Sequence, residues 1–174
     1  MLSAVVIMSS QPVRASARTP AEAVVRTLSA LVPAAVEGLL RDVTIAAPAG
    51  IAGLENIADH AGCGLVEAAD SRAAILAALA GTRESTIFLI RAGLAPEAGF
   101  ASELAECLDE GQGCARMREN PHNFITRLLP GLAPVAALLA TREKLAAIAD
   151  HDLAVMSRRL GAAPTLRLRA RRVD

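Results

Sequence analysis

The chain has no tryptophan and no tyrosine, and its three phenylalanines hold aromatics to 2% of 174 residues. That removes the flat platform on which bases or sugar rings stack. Cysteine is nearly as scarce. Cys63, Cys107 and Cys114 form an odd set without Cys-x-x-Cys spacing, which argues against both a disulfide framework and a zinc site. A reducing cytoplasm is the expected compartment. Net charge is absent too, with 18 basic against 18 acidic side chains, so the chain as a whole carries no footprint for nucleic acid. No apolar run approaches the roughly 20 residues that span a bilayer. Leu2 to Met8 is apolar and Ala15-Ser16-Ala17 has the small residues of a cleavage site, but no Lys or Arg precedes the run, so a secretion signal is not expected.

What is present is aliphatic, at 53% hydrophobic residues, and the length suits one domain with Ala, Leu and Val as its core. Leu2 to Ile7 is short, β-branched and apolar on both faces, as in a central strand covered on each side by helices. Thr19-Pro20-Ala21-Glu22 has the capping order of a helix start. That helix is predicted to about Val32, with Val24, Val25, Leu28, Leu31 and Val32 packing on a sheet. Strands are expected at Val43 to Ala47, Gly64 to Glu67 and Thr86 to Ile90. Helices are expected at Ile51 to Ala61, from the Asp70 cap to Ala80, and from Pro96 to about Leu108. The alternation implies an α/β fold with a mostly parallel sheet, right-handed crossovers and helices on both faces. Ligands of such sheets bind beyond the carboxyl ends of the strands.

Past Gly111 the pattern loosens. It offers a strand at Cys114 to Arg118, a short helix from Pro121 to Leu129, an apolar segment Val135 to Ala140, and a helix capped by Thr141. A second helix, Asp152 to Leu160, ends at Gly161, and Thr165 to Val173 alternates as a final strand.

The succession Leu2–Ile7, Thr27–Leu31, Ala58-Asp59-His60-Ala61-Gly62-Cys63 and Phe88-Leu89-Ile90-Arg91-Ala92-Gly93 resembles family 2 glycosyltransferases, whose Rossmann-like GT-A fold binds nucleotide sugars. In the later half, Pro134 to Arg142 resembles the segment that builds the acceptor side, and Asp150-His151-Asp152-Leu153 with Arg158-Arg159-Leu160-Gly161 resembles the acidic helix start bearing the catalytic base. The resemblance implies a single GT-A-like domain over residues 1–174, with a nucleotide-binding-like half at 1–110 and an acceptor-side half at 111–174. It also implies a nucleotide-diphosphate sugar as substrate, Asp152 as base, and Arg72 as a basic residue facing the diphosphate.

Two departures bear on activity. The position for a base- or ribose-binding aspartate holds Ala46-Ala47-Pro48-Ala49-Gly50, and the DxD-type metal motif is replaced by Ile90-Arg91-Ala92-Gly93. Hard divalent cations need oxygen ligands, so no metal site is expected there. Arg91 could neutralise a diphosphate directly, or be a surface arginine at a strand end. Asp152 could deprotonate an acceptor hydroxyl or cap its helix, and the roles are compatible. Arg72 sits in a helix first turn, where backbone N–H groups favour anions. His60 and His122 carry no ligand expectation. Two functions stay open: nucleotide-sugar-dependent glycosyl transfer, and a catalytically degenerate binding or regulatory module acting through a protein partner or a second copy. Nucleotidyl transfer lacks its glycine- and lysine-bearing loop, since residues 9–14 contain neither. Arg167, Arg169 and Arg171 share one face of the last strand, where they guard a sheet edge or meet a peripheral membrane surface.

Overall fold

A computed structural model describes residues 1–8, 19–121 and 124–172. The polar loop expected from Ser9, the Ala15-Ser16-Ala17 site, His122 and Val173 lie outside them. Six strands form one sheet: β1 (Leu2–Ile7), β2 (Leu40–Pro48), β3 (Gly64–Ala68), β4 (Thr86–Arg91), β6 (Cys114–Arg118) and β7 (Val135–Thr141), in the order β3-β2-β1-β4-β7-β6. β1 to β4 are mutually parallel, and β7 runs antiparallel to both of its neighbours. β1 is buried at every position, as its doubly apolar sequence requires.

The helices pack on both faces. Ala4, Val6, Phe88 and Ile90 meet α1 (Pro20–Val36), α2 (Leu54–Ala61) and α4 (Phe100–Asp109), and Phe88 stacks on Phe100 with ring centres 6.1 Å apart. On the other face, Val5, Ile7, Ile87 and Leu89 meet α3 (Ser71–Gly81), α6 (Arg142–Ile148) and α7 (Leu153–Leu160). Caps read from sequence are present: Thr19 accepts from Glu22 N–H, Asp70 from Ala73 N–H and Thr141 from Lys144 N–H.

Several boundaries differ from expectation. α1 continues through Pro33 to Val36, because Ala34 is fully buried and the carbonyls of Pro33 and Ala34 accept from Glu37 and Leu39 N–H. Val25 and Val32 do not pack on the sheet: they stand 43% and 54% exposed, lining a cleft between α1 and α2. α2 begins at Leu54 instead of Ile51, since Gly53 takes the left-handed φ of 86° that stops the turn before it. Pro96 does not open α4. It lies in β5 (Leu94–Pro96), which pairs antiparallel with β8 (Ala170–Arg172) in a small second sheet. The predicted last strand is thus cut to three residues. Upstream of it, Leu166 N–H donates to Arg116 O and Arg116 N–H to Pro164 O, so this segment covers the outer edge of β6.

Candidate functional site at the strand ends

The carboxyl ends of β1, β4 and β6 lie along one border of the sheet, and because β7 is reversed its first residue lies there too. β4 delivers Arg91 to this border. After it, Ala92 N–H donates to Ile7 O at 2.9 Å, and Gly93 N–H points at Thr27 Oγ1 (3.0 Å) and Ala23 O (3.1 Å) of α1. Thr27, fully buried, also donates to Leu94 O at 2.9 Å. The turn that replaces the expected metal motif is therefore a clasp between β4 and α1, with its backbone donors already engaged.

The Arg91 guanidinium pairs with Glu119, the residue that follows β6. Glu119 is fully buried and its second oxygen accepts from Arg172 Nε at 2.9 Å. Arg169 Nη1 donates to the Glu119 carbonyl at 3.2 Å. One carboxylate is thus held between two guanidiniums, which compensates its desolvation. Burial and the neighbouring Arg172 push the pKa of Arg91 down from its ordinary value, while the Asp152 carboxylate pulls the other way. Asp152 is therefore an electrostatic neighbour of Arg91. It also caps α7, accepting from Ala154 N–H at 2.8 Å.

Arg72 reaches the same neighbourhood from α3. Its Nε donates to Ala149 O at 3.0 Å, tying α3 to the turn between α6 and α7. Asp150 in that turn accepts from Asp152 N–H and faces His151 Nδ1 at 3.0 Å and Arg159 Nη1 at 3.2 Å. The Asp152 N–H bond above all, with the nearby His151 and Arg159, holds the Asp150 carboxyl below the usual range. Arg72, Arg91 and Asp152, widely separated in sequence, are gathered around one border, each with an internal partner.

The residue that sequence reasoning missed is Glu119. Its signal was slight: it is the one acidic residue between Glu110 and Glu143. Of the arginines expected on one face of the last strand, Arg169 turns toward Glu119, while Arg167 and Arg171 are exposed. Arg172 also meets Glu119, Glu103 accepts from the Arg167 and Leu168 N–H groups, and Glu97 accepts from Arg169 N–H.

The donor set does not fit a divalent cation at this border. Arg91 and Ala92 bring no oxygen ligand, Glu119 is claimed by two arginines, and no group of three His, Cys, Asp or Glu suited to a metal occurs among the described residues. Elsewhere, an apolar cleft of about 530 Å³ opens between α1 and α2, lined by residues such as Val25, Val32, Ile57 and His60. His60 is exposed, its Nδ1 against Asn56 O. Cys63, at the same cleft, has its thiol pKa raised by burial.

No family model matches the chain, and no curated protein matches its sequence. Solved structures match its fold. Glucosyl-3-phosphoglycerate synthase from Mycobacterium tuberculosis, in complex with phosphoglyceric acid, superposes with a TM-score of 0.68 at 17% identity, over 99% of this chain and 72% of the synthase. The same synthase with Mn²⁺, uridine diphosphate and phosphoglyceric acid gives 0.64 at 17% identity, over 94% and 67%. A further mycobacterial protein gives 0.64 at 18% identity, over 98% of this chain and 64% of its own. The synthase is a family 2 glycosyltransferase of GT-A fold, and this chain has that fold.

Proposed function

We propose that the chain is a catalytically degenerate GT-A scaffold, a binding module that no longer carries out metal-dependent sugar transfer. The observation behind this reading is the Glu119 carboxylate locked between Arg91 and Arg172. The synthase it resembles is described with Mn²⁺ and uridine diphosphate, a pairing in which a divalent cation offsets diphosphate charge. Here that border carries Arg91 and Arg172 already paired with Glu119, and the backbone N–H groups of Ala92 and Gly93 are spent on Ile7, Ala23 and Thr27.

A second reading is supported by the coupling of Asp152 to Arg91. In it, Arg91 and Arg72 exchange their internal partners for the diphosphate of a nucleotide sugar, and Asp152 takes the proton of the acceptor hydroxyl without a metal. Calorimetric titration with UDP, GDP and UDP-glucose, with and without Mn²⁺, separates the two. The degenerate module gives no binding heat up to millimolar ligand in either condition. Binding that requires Mn²⁺ overturns both readings. Binding without metal favours the second, and Asp152→Asn should then abolish transfer while leaving affinity nearly unchanged.

A further inference from the structure

Between β6 and β7 the chain makes a short helix, α5 (Phe124–Leu128), and a 3-10 turn, Pro130–Leu132. This segment is inside out. Thr126 is buried, while Phe124, Ile125, Leu128, Leu129 and Leu132 are 79%, 61%, 69%, 54% and 61% exposed. Five large apolar side chains exposed within nine residues concentrate apolar surface in one short segment, the kind of exposure that marks an interaction surface. The other two phenylalanines are stacked in the core, so the chain places its remaining aromatic in solvent.

The charge next to the patch is mostly basic, since Glu119 is buried between arginines and Glu97 is bonded to Asn120. Arg127 lies within the patch, and Arg118 flanks its end, donating from Nη1 to Ala133 O at 2.6 Å. Ahead of it, Asn120 N–H donates to Ala170 O, and Arg169 and Arg172 meet Glu119 at the strand end from which the segment departs. Arg118 is near enough to Arg116 and Arg169 for their charges to press its pKa down, after burial, so the arginines crowd one another. The balanced total conceals a split: residues 1–110 carry seven basic and thirteen acidic side chains, and residues 111–174 carry eleven basic and five acidic. In the main sheet the first half supplies β3-β2-β1-β4 and the second β7-β6, while β8 of the second half pairs with β5 of the first.

We propose that the α5 segment and its surrounding arginines dock this protein on an anionic lipid bilayer. Phe124, Ile125, Leu128, Leu129 and Leu132 enter the headgroup boundary, and Arg127, Arg118 and Arg169 meet lipid phosphates. An apolar segment that carries Arg127 and is flanked by Arg118 suits that interface, since each added cation near an anionic leaflet strengthens attraction. A second copy seated on the same patch would set Arg127 and its neighbours against their own kind. Docking here would turn the strand-end border toward the lipid, and it does not depend on whether a nucleotide binds.

The test is flotation of the full chain with vesicles of phosphatidylcholine alone and of phosphatidylcholine mixed with phosphatidylglycerol. The chain should float with the mixed vesicles, far less with the neutral ones, and lose binding as salt rises. The double variant Ile125→Ser, Leu128→Ser removes only exposed side chains, so its circular-dichroism melt should match the parent. Its partitioning should fall by about tenfold per side chain, and Arg127→Glu should weaken anionic binding alone. No flotation with anionic vesicles, or equal flotation of the double-serine variant, overturns the proposal. So does a dimer seen by light scattering that the double variant abolishes while the parent ignores vesicles.

Discussion

Arg91 at the end of β4 and Glu119 at the end of β6 pair with each other although β7 lies between their strands. The contact bridges a strand of the first half of the chain and a strand of the second, and Arg172 adds the C-terminal segment to it. It therefore joins three stretches that local sequence does not connect.

Removing the carboxylate should be costly, because two guanidiniums lose their partner at once. Glu119→Gln is expected to lower stability by about 2–4 kcal/mol, below the full cost of orphaning a buried charge because Arg91 and Arg172 are partly solvated. Arg91→Met should cost less, since Arg172 still serves Glu119. Equilibrium urea unfolding followed by circular dichroism measures both, and equal losses would contradict the shared-carboxylate arrangement.

Thr27 offers a different check. Its hydroxyl serves Gly93 N–H and Leu94 O from within the core. Thr27→Val keeps the shape and deletes these bonds, with an expected loss of about 1–3 kcal/mol. Gly93→Ala meets ordinary space, Ala23 Cβ at 3.6 Å, but must adopt a φ of 85°, which costs about 1–2 kcal/mol. A neutral result at both positions would mean that the turn is not a clasp.

Acid should weaken the turn before α7. The Asp150 carboxyl has a folded-state pKa below its unfolded value, so its stabilising contribution is complete above about pH 4 and is lost as pH falls through the depressed folded value. Asp150→Asn should flatten that part of the thermal-stability profile. Asp152→Ala should instead lower stability by about 1 kcal/mol by removing the cap of α7, and Asp152→Ser should restore most of it.

Much of the architecture was legible because its signals are local. β1 announces itself by six apolar residues, the helix starts by Thr19, Asp70, Thr141 and Asp152, and β6 by its short run from Cys114 to Arg118. The reach of α1 past Pro33 was not, because it depends on Ala34 being buried by neighbours distant in sequence. Glu119 stayed hidden for the same reason: all its cationic partners are remote. The outward face of α5 was also illegible, since five residues make little more than one turn and leave the periodicity undefined. At the candidate site, sequence alone named Arg72, Arg91 and Asp152, and said nothing of Ala149 or Glu119, to which the two arginines are tied.

The reversed strand β7 carries a consequence for how the chain comes to be folded. β6 is synthesised first but touches the sheet only through β7, so it has nowhere to dock until some twenty further residues have emerged. Meanwhile β4, with four buried apolar residues in its six, presents an unpaired edge that can recruit another nascent chain. A truncation before Val135 would therefore yield an aggregation-prone fragment instead of a smaller stable domain.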